Sequence, residues 1–186
     1  MTLGFRVKSG WAAAVLIANA KKAPAVIDSR VIVLADPDVA HSRQPYHAGL
    51  GTAQTDAAKV ARLVRGIERF SRRAISALLD EYRAEHRVRS AAVVVSSLTD
   101  PATIANQHMR AHASEGRLFR TVLVDGLEQC GLRVRVVLER EVYELLGKAL
   151  RRSPSQAKAQ VAALGEGVGR WRAEQKVAAA AAWLIS

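Results

Sequence analysis

Three groups of side chains in this sequence have the types and spacing to do chemistry. His108 and His112 stand four apart in a stretch of helical periodicity, so both fall on one face, and Glu115 follows within a turn. Two imidazoles and a carboxylate at that spacing can hold a transition metal. Against it, His108 is followed by Met109-Arg110-Ala111 and not by a His-Glu-x-x-His pattern, and Arg110 sets a cation beside the pair. The expectation is therefore no metal and no cofactor. Gln107, His108, Arg110 and His112 then read as an anion-facing surface beside a strand end, where open sheets gather ligands.

The second group is Arg62, Arg65, Arg69 and Arg72, at steps of three, four and three on one helical face. Such a stripe is about 15 Å long at 1.5 Å per residue. It reads first as a solvated helix face steadied by a Glu68–Arg72 pair, and as the alternative it suits a polyanion. The third group is His41, Arg43, Tyr46 and His47, inside a polar connection over 35–55. Its Arg and Tyr can touch a phosphate or stack on a base; alternatively the loop packs down through Pro45 and Tyr46. The lone Cys130 has no catalytic partner in its neighbourhood. Gly165-Glu166-Gly167-Val168-Gly169 lacks the preceding strand that a nucleotide fingerprint needs. Trp11, Trp171 and Trp183 read as core or interface anchors.

The 186 residues carry 28 Lys and Arg against 17 Asp and Glu, a formal charge of +11, with 49% hydrophobic residues. That length and composition fit one domain, 1–186, with a real core, and exclude disorder as the main state. A single cysteine excludes a disulfide scaffold and favours a reducing compartment. No apolar run is long enough to span a bilayer. Arg6 and Lys8 before Trp11–Ala18 and Asn19-Ala20-Lys21-Lys22 make a poor signal peptide, so the expected location is cytoplasmic, with no membrane partner. The basic balance points toward a polyanion and does not identify it.

Elements that position these groups follow from periodicity. Residues 3–8 and 11–18 read as strands joined at Ser9-Gly10, and 26–34 as a third strand ending before Asp36-Pro37. The spacing of Val60, Leu63, Val64, Ile67, Phe70, Ala74, Leu78 and Tyr82 predicts a helix from Asp56 to about His86. Ala91–Val95 suits a buried strand. A second helix is expected over Ala102–Cys130, irregular near Gly116 and stopped by Gly131. Leu132–Leu138 alternates as a strand, Glu141–Leu150 is a short helix, and Ser153-Pro154 opens another. The last helix, about Trp171–Ile185, contains Ala178–Ala182, small enough for close approach to a sheet. The order implies a mixed α/β sheet with helices on both faces.

That order is the ribonuclease H-like arrangement, and local text resembles RuvC-type Holliday-junction resolvases in three places. Leu3-Gly4-Phe5-Arg6-Val7-Lys8-Ser9-Gly10-Trp11-Ala12 is similar to the family's first hairpin. Ala113-Ser114-Glu115-Gly116-Arg117, with Gly131-Leu132-Arg133-Val134 after it, resembles the passage into its fifth strand, and Glu139-Arg140-Glu141-Val142 and Ser155–Leu164 its small helices. Glu174-Gln175-Lys176-Val177-Ala178-Ala179-Ala180-Ala181 resembles its Ala-rich last helix. The resemblance implies a five-stranded mixed sheet, antiparallel in its first three strands and then parallel. It also implies a site where acidic residues hold two divalent metals for phosphodiester cleavage.

At the matching positions stand Arg6, Ser97, Glu174 and Lys176, so at most one acid survives. Hard cations require oxygen ligands, and this set cannot hold two. One expectation is a metal-free pocket in which Arg6, Lys8 and Lys176 converge with Ser97 and bind phosphate directly. The other is a decayed pocket whose charges pair with Glu174 or Asp100. At the level of the whole chain, the leading reading is a degenerate RuvC-like domain that binds nucleic acid, with branched or duplex DNA among the candidates, or phosphate groups, without metal-dependent cleavage. The alternatives are a divergent structure-selective nuclease, recruiting Asp100, Glu174 and Asp125 or Glu115, and a non-catalytic homodimeric interaction module.

Overall fold

The computed structural model describes residues 1–18, 24–49 and 51–186. Asn19-Ala20-Lys21-Lys22, weighed above against a signal peptide, lies outside the described residues. Three strands open the fold: β1 (Thr2–Lys8), β2 (Trp11–Ala18) and β3 (Ala25–Val33). A two-residue turn joins the first two, with Gly10 at φ +83°, a conformation L side chains rarely adopt. The Gly10 carbonyl accepts from the Leu34 amide at 2.8 Å, so the turn also fixes the exit of β3.

The long connection is not structureless. It carries a small antiparallel ribbon, β4 (His47–Gly49) and β5 (Thr52–Ala53). Helix α1 (Ala57–Glu85) follows, its start fixed by the Asp56 side chain accepting from the Lys59 amide. Then come β6 (Ser90–Val95), α2 (Gln107–Gln129), β7 (Arg133–Leu138), α3 (Val142–Leu150), α4 (Pro154–Ala163) and α5 (Ala173–Leu184). Helix α2 begins five residues later than expected, because Pro101–Thr103 forms a separate 3₁₀ turn and Asn106 caps the helix. It runs unbroken through Gly116, whose missing side chain would meet nothing within 4 Å.

The main sheet has the order β3-β2-β1-β6-β7. The first three strands are antiparallel, and β6 and β7 run parallel to β1. Alternation in β1 divides its side chains between two cores. Leu3, Phe5 and Val7 pack with α1 and α2 through Ile67, Ile75, Leu79, Phe119 and Leu123. On the other face α5 lies directly on β1: a Cβ at Gly4 would stand 1.9 Å from the Ala178 carbonyl oxygen. Ala178–Ala182 are all fully buried there, so the alanine run acts as the sequence implied. Arg6 shares this face with Gly4, at the strand's C-terminal end.

Arg30 joins β3 to α1, bridging Asp28 and Glu81, while the Tyr82 hydroxyl donates to Asp28. Among the described residues, no helix is long and apolar enough to cross a membrane.

Candidate nucleic-acid interface

The parallel strands β1 and β6 end side by side, and their carboxyl ends open into a cleft of about 230 Å³. Arg6, Lys8, Ser97, His112, Arg117 and Arg120 supply its principal polar groups, and among the described residues no carboxylate lines it. The clefts of open sheets form where strands stop and the chain turns away. Here the turn after β6 is held by Ser97, whose hydroxyl lies 2.8 Å from that of Thr99 and accepts from its amide at 3.0 Å. Arg120 reaches back toward the Ser97 carbonyl at 3.4 Å, and Arg117 pairs with Asp100 at 3.2 Å. That pair is exposed on both sides, so it holds Arg117 only weakly.

Arg6 is different from the other cations. It is 2% exposed, and its guanidinium donates to Glu139 at 2.5 Å and to the Val7 carbonyl at 2.5 Å. Its Nε has no partner among the described residues. The charge is therefore neutralised within the fold, by neither of the two acids the sequence suggested. Glu139 lies at the end of β7, two strands from β1, and its side chain remains 41% exposed.

Of the three basic residues expected to converge with Ser97, Arg6 and Lys8 line the cleft, whereas Lys176 is not among its lining residues. Arg117 and Arg120, on α2, take its place. Their signal in the sequence was a three-residue step on the helix leaving the strand end. The acids invoked for a divergent nuclease are scattered. Asp100 pairs with Arg117, and Glu174 lies by Trp11, Arg170 and Arg172 at the foot of α5. Asp125 faces Glu68 and Arg72, and Glu115 is buried beside His47. Among the described residues, no group of three or more ligand side chains is built from these acids.

The arginine stripe divides. Arg62 and Arg69, with Arg73, border a groove of about 450 Å³ between α1 and the Asp36–Ser42 segment. Arg72 faces the groove between α1 and α2, and Arg65 lines neither. None of these arginines makes an ion pair among the described residues, and the expected Glu68–Arg72 pair is not formed. The connection packs down through buried Pro45 and half-buried Tyr46, and Arg43 lies across the Gly10 turn. Burial pushes the Tyr46 phenol up, with the nearby Glu115 charge adding to it.

Arg110 does not face an anion. Its guanidinium donates to the Ile104 carbonyl at 2.7 Å and the Ala105 carbonyl at 3.3 Å, closing the turn before α2. His108 and His112 meet a third ring instead, His47 from β4, with ring centroids 4.5–5.2 Å apart. His47 Nδ1 lies 2.7 Å from Glu115 Oε1. Burial holds the Glu115 carboxyl above its usual range, against the pull of His47. Burial lowers the His112 pKa, with His47 and His108 adding to the effect. No local pattern places His47 in this cluster, because it lies 61 residues from His108.

Two solved structures from Thermus thermophilus share this architecture. RuvC in complex with a Holliday junction substrate matches at 12% identity over 98% of this chain and 90% of that one, TM-score 0.56. RuvC alone matches at 13% identity over the same shares, TM-score 0.51. At such identities the likeness is one of fold, and it is the ribonuclease H-like fold, with its mixed five-stranded sheet and helices on both faces. No protein-family model and no curated protein matches the chain.

Proposed function

We propose that this RuvC-like chain binds the phosphate backbone of DNA, duplex or branched, in the cleft at the ends of β1 and β6, and does not cleave it by a two-metal route. One observation carries the reading: Lys8, Arg117 and Arg120 line that cleft and no carboxylate does. A two-metal site needs oxygen ligands to hold its cations. A cleft of ammonium and guanidinium groups repels cations and attracts phosphate. Arg6, already neutralised by Glu139, serves as the fixed floor of the cleft, and Lys8, Arg117 and Arg120 are the groups that exchange partners. The exposed Arg117–Asp100 pair opens at little cost when a phosphate arrives. The neighbouring RuvC structure holding a Holliday junction supports a nucleic-acid partner for this fold.

The test is fluorescence anisotropy with labelled four-way junction, duplex and single-stranded DNA. Arg117→Ala/Arg120→Ala is expected to weaken binding about tenfold, some 1.4 kcal/mol for the pair. Both side chains lie outside the buried cores, so the fold should be retained. An unchanged affinity would place the DNA elsewhere, with the exposed arginines of α1 the next candidates. With Mg²⁺ or Mn²⁺ added, the junction should remain intact; specific, metal-dependent cleavage products would restore the nuclease reading.

A further inference from the structure

The histidine cluster borders the cleft through His112, and it leads to an inference that does not rest on DNA binding. His47 comes from β4, and His108 and His112 from successive turns of α2. One nitrogen from each ring lies within 4.8 Å of one nitrogen from each of the others. His47 Nε2 is 3.3 Å from His108 Nδ1, and His112 Nε2 is 3.2 Å from His108 Nε2. Tetrahedral ligands at a Zn–N distance of about 2.0–2.1 Å stand about 3.3 Å apart. These two short contacts fall on different nitrogens of His108, which can offer a metal only one of them. The set of one nitrogen per ring, within 4.8 Å, would draw in by up to about 1.5 Å through small side-chain rotations to close on a metal.

Glu115 then decides which nitrogens are free. It is 1% exposed, and its Oε1 accepts from His47 Nδ1 at 2.7 Å. That hydrogen bond fixes the proton on Nδ1 and leaves the His47 Nε2 lone pair directed at the other rings. The second oxygen, Oε2, is buried with no hydrogen-bond partner among the described residues and lies 3.9 Å from His112 Nδ1.

With Glu115 as a carboxylate and all three rings neutral, hydrogen bonds alone do not satisfy this set. With His47 Nε2 as acceptor, a neutral His108 must donate from Nδ1, so its Nε2 is a lone pair. His112 must then donate from Nε2, which leaves its Nδ1 lone pair facing Glu115 Oε2. Two acceptors meet, and the buried oxygen stays orphaned, a costly arrangement. A metal between the rings reverses the logic. His112 then carries its proton on Nδ1, toward Oε2, as His47 does toward Oε1. One carboxylate orients two ligands, the usual second layer around a histidine-bound metal.

We propose that His47, His108 and His112 bind one divalent transition-metal ion, Zn²⁺ by the chemistry of the donors, with Glu115 as the positioning residue for His47 and His112. Three neutral imidazoles suit Zn²⁺ and exclude Mg²⁺ and Ca²⁺, which need oxygen ligands. Three protein ligands leave a fourth position for water or another ligand. Arg110, the cation that counted against a metal, is turned away onto the carbonyls of Ile104 and Ala105. The metal would tie the β4–β5 ribbon to α2.

The test uses the full chain, stripped with chelator and titrated with Zn²⁺ by calorimetry and with Co²⁺ by visible absorption. One equivalent per chain, a four-coordinate Co²⁺ spectrum and a rise in Tm on Zn²⁺ addition are expected. His108→Ala/His112→Ala should abolish the Co²⁺ spectrum. The His112 side chain is 47% exposed, so His112→Ala alone keeps the test informative if the double variant misfolds. Glu115→Gln should weaken Zn²⁺ affinity about 10–100-fold while keeping the stoichiometry. Absence of a four-coordinate Co²⁺ spectrum, or Zn²⁺ binding unchanged in His112→Ala, would overturn the assignment.

Discussion

Glu139→Ala should destabilise the fold by about 3 kcal/mol, read from urea denaturation at neutral pH. The reason lies at Arg6. Its guanidinium is almost wholly inside the protein, and Glu139 is the only acid it pairs with among the described residues. Removing Glu139 leaves a buried cation whose Nε already lacks a partner. The loss falls at the lower end of the range for broken buried pairs, because the Glu139 side reaches solvent and water can partly replace it. The same physics sets the control. Arg6→Met in the Glu139→Ala background removes the unpaired charge and should recover most of the loss, since apolar replacement of a buried pair is often neutral. An additive double variant would mean that the two side chains do not act as a pair.

Gly4→Ala is expected to be as damaging, about 3 kcal/mol or more, at the upper end of what overpacking costs. The new methyl group would meet a backbone carbonyl, which has no rotamer to yield, and the α5 alanines are already in contact with the sheet. Either α5 lifts from β1, opening the second core, or β1 shifts and disturbs Arg6 two residues on. A drop in Tm checks this. Ala substitution at Gly116, where the added Cβ meets nothing within 4 Å, serves as the control and should be neutral or stabilising.

The regular elements were legible because each has a period. Strand β1 alternates Leu3, Phe5 and Val7 with Thr2, Gly4 and Arg6, α1 repeats its apolar residues every three or four, and the alanine run reports a close contact. Such signals lie within a few neighbouring residues. The pairs that define the sites do not. Arg6 and Glu139 are 133 residues apart, and His47 and Glu115 are 68 apart. Only the folded sheet and the seat of β4 on α2 bring them together. The ribbon carrying His47 has strands of three and two residues, too short for alternation to register. Lys176 misled for a related reason: matching positions along a sequence does not fix which side chains reach a cleft. Arg110 misled because a cation near two histidines in sequence can spend its donors on nearby carbonyls.

The cleft is thus a place where charge changes sign relative to what metal-dependent cleavage requires, and the salt dependence of DNA affinity reports that charge most directly. The association constant for a four-way junction, measured across a series of salt concentrations, should give a log–log slope of about −2 to −3 or steeper, as three phosphate contacts require. Arg117→Ala/Arg120→Ala should flatten that slope by about two. Absence of binding at low salt, or a slope unchanged by the double substitution, would contradict the phosphate-binding cleft.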